Sequence, residues 1–479
     1  MLLYCKINML LLYFTITCRQ QTSIFIRSEI WLNFTKNPTN LAQNMISKIC
    51  ANLLNFIKNI LYSPSFVEKH RKDRQDFTRS RKLPFHLLVL YLLNLPRSSY
   101  QAELNKFFKI LSGTTVAKTI ISKVALCKAR KKLKYEAFTE LNKETIDYFY
   151  TNLNPRTWHG FYLKAIDGST VKLPNSPELR NHFGTWNPRQ GAPVPMARIS
   201  QMFDPLNRIT CHAIISPKGI GERELAAQHC QHLASTDLVL LDRGYPAFWL
   251  FKLIRSYNAH FCSRISNKKW KIVQQFVASG KKEQVVTLQP PVTSIEDCQN
   301  RNLGTDPMSL RLIRVELKSG EIEVLITSLT DCVKFPVDLF ADLYHDRWPV
   351  EEDYKVIKCR MELENFSGKS ELSVYQDFHA QIFTKNVTSM LVAVAQHRVD
   401  MASKKTIYDY RVNFTMALST IRDTLVSLFQ RSNSVIEPIV SDILESIATV
   451  TEPERPWRKF PRNHKRAQRK YCLSYKPIL

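Results

Sequence analysis

Apolar residues recur every three or four positions from about 45 to 150, where glycine is nearly absent, and this spacing predicts a helical segment. Within it, SSYQAELNKFFKILSG and TIISKVALCKARKKLKYEAF read as two short helices about a glycine turn. LPFHLLVLYLLNL (83–95) is too short to span a bilayer and predicts a buried helix. Between 161 and 270 the period switches. FYLKAIDGSTVKL, APVPMARISQMFDPLN and RITCHAIISP read as three strands separated by turn residues. A helix from about 222 to 234, a short apolar strand in DLVLLDRGYP, a helix in AFWLFKLIRSYNA and a strand in HFCSRIS follow, together a mixed α/β layer. QVVTLQPP, SLRLIRVEL and EIEVLITS are strand-like and predict a β-rich insertion over 271–328. Helical periodicity resumes near 336 and persists to about 450.

Composition is globular, and 479 residues suffice for a sizeable core and two to four domains. Charge changes the picture. Lys and Arg number 68 against 42 Asp and Glu, leaving +26, a field suited to a long polyanion bound through its phosphates. The charge is clustered in HRKDRQDFTRSRK (70–82) and RPWRKFPRNHKRAQRK (455–470), the second threaded with Trp457 and Phe460. Lys123, Lys128, Arg130, Lys131 and Lys132 give one predicted helix the character of a groove binder, with a solvated face as the alternative.

The 11 cysteines are scattered singly with no CxxC pair, which argues against a disulfide framework or a zinc ribbon and for a reducing compartment. His229, Cys230 and His232 place two imidazoles near one helical face, but no second ligand pair matches them in spacing, so zinc is disfavoured. The N-terminal run MLLYCKINMLLLYFTITCRQQ lacks a clean cleavage site for a secretory signal, and no transmembrane anchor is evident. Residues 1–44 are therefore set outside the functional fold, with Met45 beginning the working chain.

Three acids stand out by position. Asp167 ends the apolar stretch LKAID, Asp242 ends VLLD, and Glu351 lies on a predicted helix in DLYHDRWPVEEDYKVIKCRM (342–361). A carboxylate at the end of a buried strand needs compensation, and a divalent metal supplies it. Hard oxygen ligands suit Mg²⁺, and a pair of such ions activates a hydroxyl and stabilises the leaving oxygen in phosphodiester displacement. At about 100° per residue, Tyr344, Arg347, Glu351 and Lys358 fall near 0°, −60°, −20° and −40° on one stripe.

Tyr, two residues, Arg, three residues, Glu, six residues, Lys resembles the signature of the hairpin-forming insertion-sequence transposases of the DDE class, the fourth insertion-sequence family. Arg347, Trp348, Glu351 and Glu352, and the strand-rich segment between the second Asp and the Glu, are similar to that family as well, over roughly residues 85–475. The resemblance implies an α/β fold: a ribonuclease H-like catalytic core with a β-rich insertion and helical N-terminal and C-terminal regions. It divides the chain into a helical DNA-binding domain (45–155), the first part of the core (156–270), the insertion (271–328), completion of the core with the signature helix (329–390), and a helical C-terminal region with a basic tail (391–479). It implies that Asp167, Asp242 and Glu351 are catalytic and hold two Mg²⁺ ions, for which Mn²⁺ can substitute. Tyr344, Arg347 and Lys358 would grip the phosphate beside the cut, an Arg fork and an ammonium bracketing one anion. Arg243 and Arg264 would meet nearby phosphates.

Two features depart from the pattern. Pro349 interrupts the signature helix, predicting a kink with Glu351 beginning a new helical segment. Glu323 stands where similar enzymes carry a Trp that stacks on a flipped base, so either another ring, such as Trp348 or Trp270, supplies that platform or flanking cleavage proceeds with poor hairpin yield. The implied activity is metal-dependent cutting and joining of the ends of the element that encodes the chain. Its implied partners are double-stranded DNA (terminal inverted repeats and target) and a second copy of the chain in a synaptic dimer; its implied place is the bacterial cytoplasm, at the nucleoid. An inactive DNA-binding derivative and a metal-dependent nuclease on the same core are the alternatives.

Overall fold

A computed structural model describes residues 40–79, 81–188, 191–317, 320–403, 407–430 and 433–455. The N-terminal apolar run and the basic tail (456–470) therefore lie outside the described residues. Six helices come first: α1 (Asn40–Tyr62), α2 (Pro64–His70), α3 (Phe85–Leu93), α4 (Tyr100–Ser112), α5 (Lys123–Arg130) and α6 (Glu136–Asn152). Met45 lies inside α1 rather than at its start. Helix α3 is buried on nearly every side, as its unbroken apolar run requires. Gly113, at φ +62, ends α4 in the left-handed conformation that glycine adopts without strain. Helix α5 is capped by the Ser122 hydroxyl, which accepts from Ala125 N–H.

The middle of the chain runs β1 (Tyr162–Lys172), α7 (Pro177–Phe183), β2 (Thr185–Trp186), β3 (Val194–Asp204), β4 (Ile209–Pro217), α8 (Glu222–Cys230), β5 (Asp237–Leu241), α9 (Phe248–Ser256) and β6 (His260–Ile265). The segment read as a β-rich insertion contains α10 (Lys271–Ala278), β7 (Glu283–Leu288), α11 (Val292–Gln299), β8 (Met308–Glu316) and β9 (Ile322–Thr327). Its three strands are not a separate layer. β9 pairs antiparallel with β6, β8 with β9 and β7 with β8, extending one central mixed sheet in the order β2-β3-β1-β5-β6-β9-β8-β7, with β4 on β3. Periodicity missed the two short helices, which cover the face that these strands leave apolar: Val273, Phe276 and Cys298 join Leu310, Leu312, Val324 and Ile326 in one core.

After the sheet come α12 (Leu339–His345), α13 (Pro349–Lys355), one π-helical turn (Val356–Arg360), the long α14 (Glu371–Ser403), β10 (Tyr410–Val412), α15 (Phe414–Gln430), α16 (Asn433–Thr449) and β11 (Thr451–Pro453). Helix α14 joins two cores. Val374, Phe378 and Ile382 face the sheet, while Ala380, Phe383, Val387 and Met390, on the opposite side, pack among α1–α6, α15 and α16. The N-terminal and C-terminal helices thus share one hydrophobic core although they are distant in sequence. No helix among the described residues is long and apolar enough to cross a membrane.

The alternation of side chains along the strands positions the acids. β5 is buried at all five positions and lies parallel between β1 and β6. Leu163 and Ala165 of β1 and Leu238 and Leu240 of β5 face the core that contains Phe340, Leu343, Val350 and Tyr354 of α12 and α13. Residues two further along, Asp167 and Asp242, continue those same faces toward α12 and α13.

Candidate active site

Parallel pairing of β1 with β5 ends at Ile166 opposite Leu241, so Asp167 and Asp242 are the next residues in register on adjacent strands. Asp242 leaves β5 there, as expected. Asp167 does not end its strand: β1 continues to Lys172, held by β3 alone, which pairs Asp167 with Gln201 and Gly168 with Ser200. The apolar run stops at Asp167 because burial on both faces stops with β5.

The third acid comes from the broken helix. Pro349 has no N–H to continue α12; the backbone tightens into bonds three residues apart, Trp348 N–H to His345 carbonyl and Glu351 N–H to Trp348 carbonyl, both 3.0 Å. Pro349 then opens α13, with Glu351 in its first turn, so the predicted kink is present. Glu351 and Asp167 are brought together by Arg347. Its Nη2 donates to Glu351 Oε1 at 2.9 Å, its Nη1 stands 4.0 Å from Asp167 Oδ2, and its side chain is 3% exposed. Arg264 does the equivalent for Asp242, donating from Nη2 to Asp242 Oδ1 at 2.9 Å while its Nη1 bonds Glu323. The Tyr344 hydroxyl donates to the same Asp242 Oδ1 at 3.3 Å.

The two aspartates titrate in opposite directions. Burial pushes Asp167 up to about 6; the Gly168 N–H and Arg347 oppose that rise, and the charges of Glu351 and Asp242 add to it. Burial acts upward on Asp242 as well, but the Arg243 N–H, Arg264 and Arg347 outweigh it and hold that carboxyl below its ordinary value.

Residues 158–386 match the family model described as a transposase DDE domain. Transposase InsG for insertion sequence element IS4 of Escherichia coli (strain K12) is 25% identical over 405 residues, covering 82% of this chain and 88% of that relative. The chain is a DNA transposase. Putative transposase InsZ of the same organism is 25% identical over 191 residues, covering 39% of this transposase and 61% of the relative. The cryo-EM structure of the piggyBac transposase synaptic complex with hairpin DNA aligns over 86% of this chain and 87% of its own at 11% identity and a TM-score of 0.40, too loose a likeness to place any residue.

The remaining stripe residue of the transposase also reaches β1. Lys358, in the π-helical turn, donates to Ser169 Oγ at 2.5 Å and to the Thr170 carbonyl at 2.7 Å, and burial lowers its pKa. Trp348 is 43% exposed, with the Arg347 guanidinium 5.5 Å from its ring centroid. Arg243 is exposed beside Asp242. Trp270 packs instead against the core that contains Val273 and Phe276 of α10.

As the structure stands, Arg264 pairs with two carboxylates, Asp242 and Glu323. Arg130, read with the groove-binding lysines, is buried: it donates to Asp377 and Ser367 at 2.6 Å and to Tyr100 at 3.0 Å, joining α5 to α14. Lys123, Lys128, Lys131 and Lys132 of that segment are exposed. The run at 70–82 is part of the fold where it begins, His70 being buried against Glu140 and Lys132 pairing with Asp76. His229 is fully buried with its Nδ1 2.8 Å from His212 Nδ1 and its Nε2 2.9 Å from Ser200 Oγ. Burial lowers His212 to about 2 and His229 to about 3, so both are neutral hydrogen-bonding groups.

Residues that pattern reading passed over complete the frame. Tyr354, one turn beyond Glu351, donates to the Asp167 carbonyl at 2.7 Å, and Ser200 donates to the same oxygen at 3.3 Å. Lys385 of α14 is wholly buried and donates to Asp353 at 2.7 Å and Thr210 at 2.6 Å, fixing α13 from behind. The helical spacing from Glu351 to Tyr354 was a readable signal; the Lys385 contact had none in sequence.

Among the described residues no group of three or more His, Cys, Asp or Glu side chains stands at metal-ligand spacing. Arg347 and Arg264 take up the carboxylate oxygens instead. The residues nevertheless fit a hard divalent cation: all three donors are carboxylates, and burial together with the charges of Glu351 and Asp242 raises Asp167, which an added positive charge would offset.

Proposed function

We propose that this transposase cuts and joins the ends of its own insertion sequence at one site formed by Asp167, Asp242 and Glu351, on a ribonuclease H-like core. The observation carrying this reading is the placement of two aspartates side by side on one sheet face, with Glu351 linked to Asp167 through Arg347. Those three acids would hold Mg²⁺, or Mn²⁺ in its place, which would supply activation of water or a 3′-hydroxyl for attack on phosphorus and stabilisation of the departing oxygen.

The chain's own groups then have separable tasks. Arg347 and Arg264 neutralise the acids as the structure stands, and with the acids' charge taken up by a metal both guanidiniums would be available to phosphate oxygens. Lys358 lies on the same stripe as a point charge, and Tyr344 orients Asp242. Trp348, exposed beside Arg347, is the better placed of the two tryptophans to receive a flipped base, which supports a hairpin intermediate despite Glu323. The exposed lysines of α5 supply sequence-independent contacts to the duplex. Inverted-repeat ends, a target duplex and a synaptic dimer are the proposed partners, in the bacterial cytoplasm at the nucleoid.

The test begins with the coding DNA. Short inverted repeats flanking it supply the substrate, and a labelled duplex bearing one repeat should be nicked at the element boundary with Mg²⁺ and left intact with a chelator. Random cutting of that duplex and of an unrelated one would favour the nuclease reading; binding with no cutting in either metal would favour the inactive derivative.

A further inference from the structure

Residues 266–282, SNKKWKIVQQFVASGKK, hold five lysines and no acid. Lys268, Lys269, Lys271, Lys281 and Lys282 are all exposed, and among the described residues none of them pairs with a carboxylate. The fold holds both ends of the run in place. The Gln274 side chain donates to the Lys268 carbonyl at 2.9 Å, Val273 and Phe276 of α10 are buried in the core, and the Arg314 N–H of β8 donates to the Lys282 carbonyl at 2.8 Å. Gly280, at φ +68, makes the turn from α10 toward β7.

Strand pairing sets where these lysines stand. β6 runs parallel to β5, β9 antiparallel to β6, β8 to β9 and β7 to β8, so the end of β6 and the start of β7 lie at the end of the sheet where β5 delivers Asp242. Strands are about 4.8 Å apart, so the steps from β5 through β6, β9 and β8 to β7 span roughly 19 Å, the length of about six base pairs. Glu283, Glu316 and Glu323 at this end each pair with an arginine, and Glu321 is exposed there. Helix α5 stands on the other side of the acids. Its Arg130 bonds Ser367 and Asp377, and Glu364, three residues before Ser367, accepts from the N–H of Lys172, in the part of β1 that continues past Asp167.

Scattered surface lysines are ordinary. Five without a carboxylate partner, at the acid-bearing end of one sheet, suit a row of phosphates. A lysine meets phosphate as a point charge and reads no base, which fits DNA of arbitrary sequence. The duplex outside an element is such DNA, because it changes with each place the element occupies, whereas the terminal repeat is constant. We propose that the lysines from Lys268 to Lys282 hold the donor flank, the duplex outside the cut, while α5 holds the element side. This rests on the DNA-cutting reading above.

Two labelled duplexes test it, one carrying the terminal repeat with 12 or so base pairs of flank and one ending at the element boundary, both titrated with the full chain in chelator so that neither is cut. Wild type should bind the flanked end more tightly. The fourfold variant Lys268→Gln, Lys269→Gln, Lys281→Gln, Lys282→Gln should lose that advantage, about tenfold or more, with a shallower salt dependence, and should bind the precleaved end as wild type does. Lys123→Gln, Lys128→Gln, Lys131→Gln on α5 should instead weaken both ends alike. If the fourfold variant melts well below wild type, the pairs Lys268→Gln, Lys269→Gln and Lys281→Gln, Lys282→Gln replace it, each giving part of the loss. Equal weakening on both ends, or on neither, would overturn the proposal, as would normal binding of both with slowed joining to a target duplex, which assigns these lysines to the target. Wild type that nicks the flanked end yet binds it no tighter than the precleaved one sinks this proposal alone. Wild type that prefers neither end to an unrelated duplex sinks the end-cutting reading with it.

Discussion

The middle of β1 and the end of β5 carry the same chemical group on adjacent strands, yet the two carboxylates are held differently. Asp242 accepts from Arg264 at 2.9 Å and from Tyr344 at 3.3 Å and is kept below its ordinary pKa. Asp167 accepts from the Gly168 N–H at 2.9 Å and stands 4.0 Å from Arg347, and burial with two neighbouring acids pushes it up to about 6. The lesson is that a strand position fixes where an acid stands, while the cations around it fix its charge. Asp242 is stabilised as an anion by the fold; Asp167 is held as an anion at some cost, and a cation relieves it.

Removing Arg347 tests that contrast most severely. Arg347→Ala strips Asp167 and Glu351 of their shared partner and removes a proposed phosphate contact. Cleavage of a labelled element end should fall on the order of 10²- to 10³-fold, with end binding measured by gel shift reduced far less. A fall of less than about threefold would break the link between Arg347 and the two acids. Lys385→Met comes next. Asp353 would be left buried without its cation, costing about 3 kcal/mol in chemical unfolding, while the double variant Lys385→Met, Asp353→Leu should recover most of it. An unchanged denaturation midpoint would show that the buried pair does not hold α13 in place.

Arg264→Met makes Asp242 resemble Asp167. Burial acts upward on Asp242 and Arg264 is among the charges that offset it, so in the metal-free protein the Asp242 carboxyl, followed by carboxyl-carbon NMR, should titrate at higher pH in Arg264→Met than in wild type. It should titrate unchanged if Arg264 acts only on Glu323. The smallest effect is on stability. A raised carboxyl favours the native state while both forms are protonated and loses that advantage as pH rises through the folded value. Metal-free Asp167→Asn should therefore melt above wild type at neutral pH, by roughly 2–4 °C, with the gap closing as pH falls from 6 toward 4. Asp242→Asn should melt below wild type at neutral pH, because a depressed carboxyl contributes stability above its unfolded pKa. Equal melting of the two variants would remove the contrast.

Much of this arrangement was written in local pattern. The alternation that ends in Asp167 and Asp242 put both acids on one sheet face, because a buried parallel strand admits a charge only where its neighbour stops. The spacing of Tyr344, Arg347, Glu351 and Lys358 survived the break at Pro349, since a tightened turn still advances the chain around the same side. What local pattern lacked was pairing between distant segments. Nothing in a linear reading tells that Arg264 joins Asp242 to Glu323, that Arg130 turns inward to Asp377, or that β7, β8 and β9 extend the central sheet. The short helices α10 and α11 were missed for a related reason: eight-residue amphipathic stretches beside strand-like runs carry too few turns to establish a period.

The most direct test of the central claim, that three acids from three parts of the chain form one DNA-cutting site, is a cleavage and binding assay in parallel on one labelled element end in Mg²⁺. Wild type should nick at the element boundary, and Asp167→Ala, Asp242→Ala and Glu351→Ala should each retard the DNA as wild type does while leaving it uncut. Cutting at the wild-type rate by any one of the three variants would contradict the claim.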